Sequence, residues 1–164
     1  TRLGENAAVN GMDSMFRQVM SEKLNLVPFD TFILFLKTEA ERIGRYKISD
    51  SSLAAFHIRN LVPMQMELGD RSRNIFLELS EIIKSTLRTS DIITALNDST
   101  YLTVLVETPL EGGERALERL HESITNLLSQ NVSSEPDIRT FAFPIQADKT
   151  PSEHIADVMD SFNA

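Results

Sequence analysis

Between Arg88 and Val106 the chain carries two β-rich runs, Ile92-Ile93-Thr94-Ala95-Leu96 and Tyr101-Leu102-Thr103-Val104-Leu105-Val106, separated by the polar Asn97-Asp98-Ser99-Thr100. Asn and Asp accept the left-handed backbone that a tight reversal needs, so the block reads as a β-hairpin at the centre of a sheet. Arg88 and Asp91 stand just before its first strand, where the preceding helix should end. A planar cation and a carboxylate thereby share one chain corner.

Periodicity supplies the elements on either side. Met12, Met15, Phe16, Val19 and Met20 recur near the helical period and read as an amphipathic entry helix, residues 1–21, leading as a linker into a domain over 22–164. That stripe suits either packing on the domain's own surface or pairing as a dimerising connector. A helix from Asp30 to Arg45 places Phe32, Phe35, Leu36, Ala40 and Ile43 on one face, with Asp30 as its expected N-cap. Ser51 to Ile58 reads as a buried strand, and Arg59 to Gly69 as a short helical piece and a turn. A strongly periodic helix then runs from Asp70 to near Arg88, inward through Ile75, Phe76, Leu79, Ile82, Ile83 and Leu87. After the hairpin, Gly112-Gly113 opens a helix to about Leu128, leaving Arg115 and Arg119 one turn apart on an outer face. Ile138 to Phe143 is a strand stopped by Pro144, and Thr150-Pro151-Ser152-Glu153 is a capping box that starts the last helix.

Composition then excludes several classes. A chain of 164 residues with 41% apolar content fits one ordinary domain with a small remainder at one end. The absence of cysteine removes disulfides, thiolate metal sites and thiol nucleophiles. A formal charge of -8 opposes nucleic-acid binding and attraction to an anionic bilayer, while a local Arg cluster could still hold a small anion. No apolar run approaches the roughly 20 residues of a membrane span. The chain opens at Thr1 without Met and is read as a segment of a longer protein.

The element order, together with Leu24-Asn25-Leu26-Val27-Pro28, Glu39-Ala40-Glu41-Arg42-Ile43-Gly44-Arg45-Tyr46 and the Arg88 to Tyr101 block, resembles the GGDEF domain of diguanylate cyclases over about residues 22 to 164. Val106-Glu107-Thr108-Pro109-Leu110-Glu111-Gly112 and Leu117-Glu118-Arg119-Leu120 resemble the segments flanking the hairpin in that family. The resemblance implies an α/β (α+β) fold of nucleotidyl cyclase type, with about five mostly antiparallel strands and helices on both faces. It also implies a cytoplasmic domain of a longer bacterial protein, membrane-anchored or not.

At the positions the family uses for catalysis this chain differs. Asn97-Asp98-Ser99-Thr100-Tyr101 stands where the family reads Gly-Gly-Asp-Glu-Phe, and the resemblance maps the two metal carboxylates to Ser99 and His57. Neither offers the hard anionic oxygen that Mg²⁺ takes. The guanine-reading positions map to Gln65 and Asn74. The expectation is therefore a non-enzyme with no catalytic residue, no metal and no cofactor; His57 reads as a strand-end or core histidine and Asp98 as a turn residue. What matches the family is its inhibitory site, an Arg-x-x-Asp with a third Arg on the next helix, which implies a cyclic di-GMP receptor site made by Arg88, Asp91 and Arg119. A guanidinium fork suits phosphate or a guanine edge, and a carboxylate accepts from guanine N1-H and N2-H. The expected partners are cyclic di-GMP and a protein partner or fused regulatory domain, with a homodimer allowed. The alternative is a nucleotide-independent interaction or dimerisation module that kept only the fold, with Arg88 capping a helix end and pairing with Asp91 at the surface.

Overall fold

The structure, a computed structural model, describes residues 15–47 and 50–164. Residues 15–24 form helix α1, so Met12 of the entry stripe lies outside the described residues. The order then runs α2 (Phe29–Tyr46), β1 (Ser52–Ile58), α3 (Leu61–Leu68), a 3-10 turn (Gly69–Arg71), α4 (Ser72–Thr86), β2 (Ile92–Ala95), β3 (Thr100–Leu105), α5 (Leu110–Ser129), β4 (Ile138–Pro144) and α6 (Pro151–Asn163). The sequence elements all recur, with shifted ends. Helix α2 starts one residue before Asp30, behind Pro28, so Asp30 lies in the first turn, where its charge meets the helix dipole. Helix α4 starts at Ser72 because Gly69–Arg71 winds more tightly. The capping box forms as written, with Thr150 Oγ1 accepting from Glu153 N and Glu153 Oε1 from Thr150 N.

The sheet has four strands among the described residues, not five, in the order β2-β3-β1-β4, and each neighbouring pair is antiparallel. The hairpin is therefore only half central: β3 is interior, and β2 is an edge. That edge is touched at one point, where Val27 N donates to Ile93 O at 2.9 Å and Thr94 Oγ1 donates to Val27 O at 2.7 Å.

Helices cover both faces, which is why β1 is apolar almost throughout. Ala54, Phe56 and Ile58 face a core shared with α1, α4 and α5, whereas Leu53 and Ala55 face one shared with α2 and α6. This alternation is the pleat of a strand buried on both sides. Phe16, Val19 and Met20 of α1 are fully buried in the first core. The Phe16 ring meets Phe76 edge-on at 5.1 Å and Tyr101 at 5.8 Å. Helix α5 lies close on β1 because Gly113 presents no side chain there; a Cβ at that position would sit 3.1 Å from Ser52 Cβ.

Candidate functional site

The hairpin turn closes over the C-terminal end of β1. Ile58 N donates to Ser99 O at 3.1 Å, and Asn97 Oδ1 accepts from Ser99 N at 3.0 Å, the self-bonding that suits Asn to turns. Tyr101 Oη donates to Asp98 O at 3.0 Å, while the Asp98 carboxylate pairs with Arg17 of α1 at 3.5 Å. His57 Nδ1 lies 2.7 Å from Thr100 Oγ1 and 3.5 Å from Ser99 Oγ, and its ring stands 5.6 Å from that of Phe162. This donor set, one imidazole and two hydroxyls, does not fit a hard divalent cation, which takes anionic oxygens. Among the described residues, no three His, Asp or Glu side chains gather closely enough to hold a metal. Of the mapped guanine-reading positions, Gln65 is buried, with no hydrogen-bond partner for Oε1 among the described residues, and Asn74 is exposed.

Burial pushes the His57 imidazole below its ordinary pKa, helped by the Arg59 and Arg139 guanidinia and opposed by a Ser99 hydrogen bond and Asp137. Unfolding restores an ordinary value near 6.5, so between the lowered native value and about 6.5 the unfolded chain binds more protons. The His57 contribution to stability is therefore present above about pH 6.5 and falls as acid protonates the unfolded chain. Urea midpoints should drop less from pH 7.5 to pH 5 in His57→Gln than in the wild type. Equal drops would refute the assignment.

The second cluster sits at the other end of β2. Leu87 leaves α4 in extended conformation, and Asp91 N donates back to Arg88 O at 3.0 Å. The Asp91 side chain is only 1% exposed. Its Oδ2 accepts from Arg88 N at 2.9 Å and its Oδ1 from Val106 N at 3.0 Å, tying the start of β2 to the end of β3. The carboxylate expected to receive a guanine edge is thus occupied by backbone. Arg88 is different: its side chain is 57% exposed, Nη2 donates to Val106 O and to Thr108 Oγ1, and Nε stands 3.9 Å from Asp91 Oδ2.

The same corner is held from the opposite side. Ser52 Oγ donates to Thr108 O at 2.7 Å, Glu107 N donates to Ser51 Oγ at 3.0 Å, and Ser51 Oγ donates to the buried Glu39 at 3.0 Å. Glu39 is also paired with Arg42.

Arg88 and Asp91 line a groove of about 360 Å³ together with Lys23, Leu24, Lys84 and Ile92. Three cations thus border one largely apolar depression in a chain of net charge -8. The exposed Arg119 does not line it; it lines a separate depression of about 200 Å³ with Ile82, Ser85, Thr86 and Ser123. The two depressions flank the last turn of α4. Sequence reasoning names neither lysine: Lys84 stands one helical turn before Arg88 and could have been read from the chain, whereas Lys23, on α1, is brought beside Arg88 only by the fold.

No family model and no curated protein matches this sequence. Solved structures do share the fold. The GGDEF domain of FimX from Pseudomonas aeruginosa is similar with a TM-score of 0.58 at 16% identity, over 77% of this chain and 80% of that one. The diguanylate cyclase SiaD from Pseudomonas aeruginosa, solved with its activator SiaC, gives 0.61 at 20% identity over 94% of this chain, which spans 64% of SiaD. The GGDEF domain of DgcB from Caulobacter crescentus, solved with c-di-GMP, gives 0.62 at 11% identity over 78% of this chain and 76% of that one. The chain has the GGDEF-domain fold. No helix among the described residues is long and apolar enough to cross a membrane.

Proposed function

We propose that this is a non-catalytic domain of GGDEF fold that binds cyclic di-GMP in the Arg88 groove and signals to a partner protein or fused domain. The observation that carries the reading is an exposed guanidinium, seated by a buried carboxylate, facing a groove that Lys23 and Lys84 also border in an otherwise acidic protein. A cyclic dinucleotide offers two phosphate anions and two flat bases, which call for guanidinium and ammonium donors beside apolar surface. Asp91 acts here as a positioning residue for Arg88 rather than as the guanine acceptor. Arg119 would join only a ligand large enough to cross the end of α4, such as a stacked pair of dinucleotides. The fold shared with DgcB, solved with c-di-GMP, supports the choice of ligand. The neutral donors at His57 and Ser99 support the non-catalytic half.

Calorimetric titration with cyclic di-GMP should give micromolar or tighter binding that Arg88→Ala weakens by about tenfold or more. Lys23→Ala and Lys84→Ala should each weaken it less. No heat at high ligand concentration would overturn the receptor reading, and turnover of GTP with Mg²⁺ or Mn²⁺ would overturn the non-catalytic one.

A second reading, a nucleotide-independent interaction module, draws on the exposed Leu34 and Tyr46 of α2 and Met66 of α3. The fold it shares with SiaD, solved with its activator SiaC, also bears on it. The same titration separates the two.

A further inference from the structure

Strand β4 lies at one edge of the sheet. Arg59 N donates to Asp137 O and Ile145 N to Ser51 O, which fixes the parity of β4: residues 137, 139, 141, 143 and 145 aim their backbone groups at β1. The N-H and C=O groups of Ile138, Thr140 and Ala142 therefore point outward. His121 Nε2 takes Ile138 O at 3.0 Å. Thr140 and Ala142 have no backbone partner on that side among the described residues; at the other edge Val27 N donates to Ile93 O, and Thr94 Oγ1 donates to Val27 O. Pro144, lacking an N-H, ends the open stretch.

That open edge forms one wall of a groove of about 520 Å³ whose other wall is α5, through Glu114, Glu118, His121 and Glu122. The three glutamates are exposed and make no ion pair among the described residues. They recur every four residues, about 6 Å along a helix, close to the roughly 6.7 Å between alternate side chains of an extended strand. Phe141 also lines the groove and packs edge-on against Phe162 of α6 at 5.0 Å, giving the opposite side an apolar surface.

We propose that the outer edge of β4 docks an extended segment of a partner protein as a fifth strand, with Lys or Arg at alternate positions and apolar residues between them. Main-chain pairing to Thr140 and Ala142 supplies the alignment, and the α5 carboxylates select the charge. A second copy of this chain is disfavoured: its β4 brings Ile138, Thr140 and Ala142 to the α5 side, none of them a cation, and sets a second acidic α5 beside the first.

The test is fluorescence anisotropy with a blocked heptapeptide alternating lysine and valine. This peptide should bind the whole chain saturably, and a glutamate-valine counterpart should not. The triple variant Glu114→Lys, Glu118→Lys, Glu122→Lys alters only exposed side chains and should lose about tenfold or more in affinity. N-methylation of alternate peptide amides keeps the charge but removes pairing, and should cost a similar factor. Bound peptide should slow hydrogen exchange at the Thr140 and Ala142 amides. Absence of binding, equal binding of the methylated peptide, or protection confined to other amides would each overturn the proposal.

Discussion

Phe16→Ala should lower the unfolding free energy by about 3–5 kcal/mol, the cost of emptying a fully packed aromatic site. Its ring is completely buried between Phe76 of α4 and Tyr101 of β3, so no neighbouring helix end can simply collapse into the space. For a chain of this size that is roughly 10 °C or more in melting temperature. Arg17→Ala, one residue along, removes only an exposed ion pair to Asp98 at 3.5 Å and should cost under about 1 kcal/mol. Chemical denaturation of the two variants side by side gives the contrast. A loss below about 1 kcal/mol for Phe16→Ala would mean that α1 is not part of the cooperative unit.

The other large effect is expected at Asp91. Replacing it by Ala strands the Arg88 and Val106 N-H groups that its carboxylate satisfies, at a cost of about 2–4 kcal/mol. Asp91→Asn keeps one acceptor oxygen and should cost about half as much, whereas Arg88→Ala, on an exposed side chain, should cost under about 1 kcal/mol. Urea midpoints test the ranking. An Asp91→Ala variant as stable as the wild type would remove the argument that this carboxylate seats Arg88.

The features legible in the sequence are those whose partners lie within a turn. The capping box at Thr150 and the apolar stripes of α2, α4 and α5 depend on residues close in the chain and form as the sequence predicts; the hairpin reverses at Asn97 as expected, but by the Asn97 side chain accepting from Ser99 N, without the left-handed backbone expected of Asn97 or Asp98. The features that sequence reasoning misses depend on distant segments. Asp91 resembles a surface carboxylate because nothing local reveals that Val106 N, 15 residues on, would occupy it. Nothing near Arg119 says that α4 would stand between it and Arg88. The likeness to a five-stranded family gave one strand more than the described residues form, and the hairpin's two runs look equally central although one of them lies at the sheet edge. Which backbone groups of β4 face outward is a matter of parity against β1, invisible until the register Ile58↔Ile138 is known.

Thr108 and its neighbours are gripped by two hands. From one flank Arg88 holds Val106 O and Thr108 Oγ1; from the other, Ser51 and Ser52 hold Glu107 and Thr108, with Glu39 and Arg42 of α2 behind them. Any guest that draws the Arg88 Nη2 protons to itself leaves the second hand alone on that bend. One bend thus links the α4 flank to α2 through a short chain of polar contacts that bypasses the sheet.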